Sequence, residues 1–220
     1  MQGFLRRYIL HFESAIDDSL AAFAAGLAED ARVLDAGAGE RVHAKYFEGR
    51  HYVGVDLGVG DASWDYGKLD AIADLSALPF RDGSFDACIN IVTLEHLREP
   101  GCALGEMERA LKPGGSLLLV VPHEWEVHQS PHDYFRYTRH GVAHLLNKAG
   151  FAEFDIQPVG GYFRLTSRRL LNGLQFFPGP LFFVAALFLA PPALVLPWFD
   201  SLDRERNFTL GYICNARKRS

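Results

Sequence analysis

Val33-Leu34-Asp35-Ala36-Gly37-Ala38-Gly39-Glu40 joins a short apolar run to a glycine turn, and the reading of the chain turns on it. The apolar run fits a strand buried on both faces. Gly37 and Gly39 let the backbone pass close to a ligand, and a helix beginning there offers unpaired amides. Similar runs follow at helix-length intervals: HYVGVDL at 51–57, DAIADL at 70–75, FDACINIV at 85–92, GSLLLVVP at 115–122 and FAEFDIQPV at 151–159. Most are near-continuous rather than alternating. Between them the pattern predicts a helix over 101–112, ended by Lys112-Pro113-Gly114-Gly115, and another over 138–149 with Thr138 and Gly150 as caps. Strands alternating with helices predict an α/β fold, a parallel sheet covered on both faces. Ahead of it, Phe4, Tyr8, Phe12, Ile16, Leu20, Phe23 and Leu27 predict an amphipathic helical cap within 1–29, broken near Ser14, which would cap a second segment before Asp17 and Asp18.

The chain has 220 residues, 49% hydrophobic and 22% charged, which excludes a disordered or collagen-like polymer. Its net charge of −5 argues against a basic nucleic-acid surface. Cys88, Cys102 and Cys214 are odd in number and widely spaced, so a reducing, cytoplasmic setting is expected, and the opening residues do not read as a signal peptide. Charge is uneven. Residues 160–220 hold eight Lys or Arg against three acids, a net +5, leaving −10 for the rest.

The glycine turn fits two nucleotide motifs poorly. A phosphate-cradling loop needs Lys followed by Ser or Thr, and Glu40-Arg41-Val42 supplies neither. A dinucleotide fold wants a third glycine where Val42 stands, and Glu40 would repel a pyrophosphate. A purely structural turn remains an alternative at this point. Downstream spacing adds weight: Asp56 ends the second strand 21 residues after Asp35, where a carboxylate can accept both hydroxyls of a ribose, and Asp74 follows the third. Each acid taken alone also reads as a helix cap or a solvated strand end.

Taken together, VLDAGAGE, YVGVDL, ADLSALPF, SFDACINIVTLEHL and ERALKPGGSLLLVVP resemble the class I S-adenosylmethionine-dependent methyltransferases over residues 30–160. The resemblance implies a Rossmann-like sheet of seven strands, the last antiparallel and supplied by NFTLGYICNARK at 207–218. It implies S-adenosylmethionine as cofactor, a sulfonium without phosphate that suits an acidic pocket. The implied cofactor residues are Asp35, Gly37, Gly39, Asp56, Asp74, Leu75, Asn90 and Ile91. Asp56 would take the ribose, Asp74 the adenine amine and Leu75 the adenine slot, with Asn90 and Ile91 at the methionine end. Glu40 departs from a third glycine seen in many members. PHDYFRYT at 131–138 also resembles a signature of a bacterial branch of the family. A nicotinamide-dependent oxidoreductase and a non-catalytic membrane-associated binding protein are the rival functions.

The acceptor is expected at PHEWEVHQSPHDYFRYTRHG, 122–141, a loop dense in aromatic and titratable groups. His132 or Asp133 would act as general base for a hydroxyl acceptor, with His96 of the Glu95-His96 pair as a second candidate. The bland alternative pairs Asp133 with Arg136 in a structural loop. His123, His128, His132 and Asp133 match no zinc spacing, so no metal site is expected.

Between the sixth and seventh strands, 174–199 is uncharged and apolar but cut by Pro178, Pro180, Pro191, Pro192 and Pro197. Its longest proline-free run, Leu181–Ala190, would span about 15 Å as a helix against a bilayer core of about 30 Å. A surface-lying hairpin hinged at Pro191-Pro192 is expected, touching a membrane, a second copy in a homodimer, or a lipophilic substrate. The domain reading is a cap over 1–29 and a methyltransferase domain over 30–220 with an insertion at 162–206. Its acceptor would be a small or lipid-linked molecule, its location the cytoplasm or the inner face of the cell membrane.

Overall fold

Seven strands hydrogen-bond into one sheet: β1 (Arg32–Ala36), β2 (His51–Asp56), β3 (Ala71–Ile72), β4 (Phe85–Ile91), β5 (Leu111–Pro122), β6 (Phe151–Val159) and β7 (Gly211–Lys218). The structure, a computed structural model, describes residues 7–60 and 63–220. The spatial order is β3-β2-β1-β4-β5-β7-β6. Strands β1 to β5 pair in parallel, whereas β7 runs antiparallel to both β5 and β6. The expected α/β fold and its late antiparallel strand are both present. From β1 the chain builds outward through β2 and β3, then returns to β4 on the other side, which creates a switch point between β1 and β4.

Among the described residues, five helices of eight residues or more accompany the sheet: α1 (His11–Ala25), α2 (Pro100–Ala110), α3 (Arg139–Ala149), α4 (Tyr162–Gly173) and α5 (Pro180–Val195). On one face Phe12, Ile16 and Leu20 of α1 join Phe47, Ile89 and Val120. On the other, Leu104 and Met107 of α2 and Leu146 of α3 join Leu34, Cys88 and Leu119. Each such side chain taken fully from water contributes about 1.5–3 kcal/mol. Thr138 accepts the Gly141 N–H at 3.0 Å and Gly150 closes α3, as the sequence predicts.

Three local expectations are corrected. The expected break falls before Ser14: helical residues 7–9 are interrupted at Leu10 and α1 starts at His11, while Ser14, whose N–H bonds the Leu10 carbonyl at 2.9 Å, is a buried helix residue and no cap. Phe4 of the expected cap lies outside the described residues. Helix α2 ends at Ala110, and Leu111 already pairs with Phe85, with a register shift before Ser116 pairs with Ala87. The apolar segment has no hinge at Pro191-Pro192: α5 continues through both prolines into a 3₁₀ turn, giving one helical segment from Pro180 to Leu202. Proline removes a donor, yet its fixed φ is already helical, so a pair of them need not reverse the chain.

Candidate functional site

The switch point opens a cleft of about 810 Å³ at the carboxyl ends of β1, β2 and β4. That lies within the roughly 300–1,000 Å³ common for small-molecule sites. Its floor is the glycine turn. Gly37 and Ala38 both donate to the Val55 carbonyl, at 2.8 and 3.0 Å, and Gly37 sits at φ +99°. A Cβ on Gly37 would fall 2.3–2.8 Å from the Thr93 side chain, so only glycine lets the turn approach β4 this closely.

Asp56 accepts the Gly39 N–H at 3.0 Å and the Gly58 N–H at 2.9 Å, one on each oxygen. Asp74 accepts the Ser76 N–H at 2.8 Å. Both acids therefore cap their own turns and still face the cleft, because a carboxylate has about four lone-pair sites. Gly37, Gly39, Asp56, Asp74, Leu75 and Ile91 line the cleft together.

Asp35 and Asn90 do not. Asn90 is fully buried, donating to the Ala36 carbonyl at 2.6 Å, and Asp35 is fully buried, accepting from the Tyr52 hydroxyl. They support the floor from beneath, a correction to their expected place on its surface. Burial pushes the Asp35 carboxyl up to about 7. An acid raised in this way holds its proton more tightly folded than unfolded, so its contribution makes stability fall as pH rises from about 4 toward 7. Asp35→Asn, measured by thermal denaturation without ligand, is expected to melt above the wild type at pH 8 and level with it at pH 4.

Sequence reasoning missed Trp64, His43 and Thr93 on the cleft wall. Burial holds His43 down to about 4, so it is neutral. Trp64, packed over Gly39, lies in a loop without periodic signal, and only its aromatic character could have flagged it.

The other end of the cleft is built by two segments that grip each other. The turn Leu94–His96 follows β4, and residues 123–138 link β5 to α3. Tyr134 and Phe135 N–H groups both donate to the Glu95 carbonyl, and the Tyr137 hydroxyl donates to that of Leu94 at 2.8 Å. His96, His132 and Tyr134 line the cleft here. Nδ1 of His132 lies 3.1 Å from the Tyr134 hydroxyl, and that of His123 lies 2.8 Å from the Tyr137 carbonyl. Asp133, expected as a base, is instead held by Arg136 at 2.6 and 2.8 Å with its side chain 2% exposed. The guanidinium holds its carboxyl down to about 2, which suits an anchor and not a proton acceptor. Glu95, His96 and His128, which were not grouped from the sequence, converge.

Residues 34–119, from β1 through most of β5, match the family model of the methyltransferase domain. The chain carries a class I methyltransferase domain. The cofactor of that domain is S-adenosylmethionine. Demethylmenaquinone methyltransferase of Renibacterium salmoninarum is 38% identical over 105 residues, covering 44% of this chain and 44% of that protein. The chain spans between about a third and a half of the length of the first curated relatives it matches. Among solved structures, 1,6-didemethyltoxoflavin-N1-methyltransferase of Burkholderia thailandensis, with bound 1,6-didemethyltoxoflavin and S-adenosylhomocysteine, is 20% identical at a TM-score of 0.55, covering 100% of this chain and 87% of that one. The [4+2]-cyclase SpnF is 22% identical at 0.58, covering 92% and 81%. These likenesses show the fold of the domain; the chemistry rests on the cleft. Within it, the glycine turn, the acids at the ends of β2 and β3 and the lack of a lysine at the turn fit a cofactor with a ribose, an adenine and a sulfonium cation.

Proposed function

We propose that this chain transfers the methyl group of S-adenosylmethionine to a small-molecule acceptor held beside His96, His132 and Tyr134. One observation carries the reading: a single cleft runs from the glycine turn and Asp56 to that cluster of rings. The cofactor, when bound, supplies a methyl group already activated on sulfur. Asp56 would accept the ribose hydroxyls while bracing the Gly39 and Gly58 amides, Asp74 would take the adenine amine, and Leu75 and Ile91 would pack on the ligand. Methyl transfer is an in-line displacement, so alignment and exclusion of water do most of the work. His132, oriented by Tyr134, is the group that would accept a proton from a hydroxyl or amine acceptor.

Calorimetric titration with S-adenosylhomocysteine tests the reading, with NADH as control. Micromolar binding by the wild type and a loss of about 100-fold or more in Asp56→Ala are expected, since one carboxylate secures two amides and the ribose, at about 1.5–3 kcal/mol for each charge-assisted bond. Tight NADH binding, or none to either ligand, would favour the oxidoreductase or the non-catalytic reading.

The apolar segment favours a lipophilic setting. Pro180–Leu202 has 23 residues, and its most apolar 18 have a mean hydropathy of 2.1 with only 17% of them buried. Leu181, Phe182, Phe183 and Val184 are consecutive, span a full helical turn and are all exposed. An uncharged, exposed helix within a segment of net charge +5 (residues 160–220) suits an anionic bilayer surface better than a second copy carrying the same charge. The hairpin of α4 and α5 is tied to the body through Arg168, 3.0 Å from Glu13 and stacked on Trp125, and through Asp200, which accepts the Gly161 N–H at 3.1 Å. It would therefore lie in the membrane surface beside the domain, favouring an acceptor with an apolar tail. The chain is expected to float with anionic vesicles, and Phe183→Ser/Leu187→Ser/Phe188→Ser to remain below. A wild type that stays below and sediments as a dimer would assign the face to a second copy.

A further inference from the structure

We propose that Glu95, His96 and His128 hold a divalent transition-metal ion of the zinc class at the wall of the cleft. Nε2 of His96 and Nε2 of His128 face each other at 3.1 Å, and a Glu95 oxygen lies 3.7 and 3.6 Å from them. Hydrogen bonding on the far side of each ring fixes what these nitrogens are. Nδ1 of His96 lies 2.6 Å from the His132 carbonyl, which can only accept, so Nδ1 carries the hydrogen. Nδ1 of His128 faces the Glu126 carbonyl at 3.2 Å and an Asp133 oxygen at 3.4 Å, again acceptors. In the neutral rings both Nε2 atoms are then bare lone pairs pointing at each other. A ring nitrogen held by an outer carbonyl or carboxylate is the usual preparation of a histidine ligand.

Glu95 supplies the second, independent sign. Its residue is fully buried, yet neither carboxylate oxygen has a hydrogen-bond partner. A buried carboxylate left so is costly, and a cation between it and the two imidazoles removes that cost together with the clash of lone pairs. The spacing fits: ligands about 2.0–2.1 Å from a tetrahedral centre sit about 3.3 Å apart, against 3.1, 3.6 and 3.7 Å here. Two imidazoles with one carboxylate select zinc, iron or cobalt over magnesium or calcium, which take all-oxygen shells. Three protein ligands leave a position for water or for a heteroatom of a bound molecule. The site also joins the turn after β4 to the loop after β5. It does not depend on the methyl-transfer reading.

The test is a Co²⁺ titration of tag-free protein stripped with chelator, followed by visible absorption and elemental analysis. One Co²⁺ per chain is expected, displaced by Zn²⁺, with a rise in melting temperature. His128→Ala is expected to lose more than the roughly 10–100-fold that removal of an outer partner costs, while His140→Ala, at an exposed histidine outside the cluster, binds as wild type. Glu95→Gln, which keeps the shape of the side chain, gives a second reading if His128→Ala does not fold. No stoichiometric Co²⁺ on the wild type would overturn the proposal and leave a shared proton between the rings. So would undiminished binding by a folded His128→Ala or Glu95→Gln. S-adenosylhomocysteine titration of the same samples reports the cofactor site separately.

Discussion

Gly37→Ala is expected to abolish measurable S-adenosylhomocysteine binding and lower the melting temperature. The turn holds Gly37 at φ +99°, and the new methyl would meet Cγ2 and Oγ1 of Thr93 at 2.3 and 2.5 Å. A left-handed backbone costs an L-residue about 1–2 kcal/mol, and forcing an extra methyl into a packed site about 1–3 kcal/mol. The strain falls on the segment whose amides bond Val55 and whose neighbour Gly39 bonds Asp56, so the cleft floor must deform. Adding Thr93→Ala removes the atoms struck but leaves the backbone cost, so that double variant should recover part of the stability lost. A Gly37→Ala chain that binds like wild type in calorimetry would show that the turn does not form the cofactor floor.

The second large effect is expected from Arg136→Ala. The Asp133 side chain is 2% exposed, and Arg136 holds both its oxygens while also donating to the carbonyls of Trp125, Glu126 and Phe135. Removing one partner of a fully buried pair costs about 3–5 kcal/mol. The Arg136 side chain is 24% exposed, however, and water takes up part of that, leaving about 1.5–3 kcal/mol, the scale of a lost hydrogen bond to a charged group. Denaturant unfolding should report a loss of that size. Arg136→Ala/Asp133→Asn should be less destabilised than Arg136→Ala, since the stranded charge is gone. An Arg136→Ala chain as stable as wild type would mean that water replaces the guanidinium.

Much of this was legible in the sequence. The strands were, because runs such as Ser116-Leu117-Leu118-Leu119-Val120 belong only in a sheet covered on both sides. Spacing and family resemblance singled out Gly37, Asp56 and Asp74, which the fold brings to one cleft. The same double burial hides which face a side chain takes: β1 is buried at every position but its first, so no alternation revealed that Asp35 lies beneath the floor. The prolines of α5 were overread as a hinge, since a lost donor and a reversed chain leave the same mark in sequence. Glu95, His96 and His128 escaped because 32 residues separate the histidines, and only the contact of two strand-end loops brings them together.

The place of β7 has a consequence for how the chain is made. Among the described residues strand β6 pairs with β7 alone, and β7 is wedged between it and β5. On a ribosome β6 emerges first and must wait, unpaired on both edges, until residues 211–218 follow. The greasy stretch of α5 lies between the two and is synthesised during that wait, at about 5–20 residues per second. For several seconds, therefore, a nascent chain displays an open sheet edge and its most apolar helix at once. Early capture of α5 by lipid or by a chaperone would protect the half-built sheet from pairing with its neighbours.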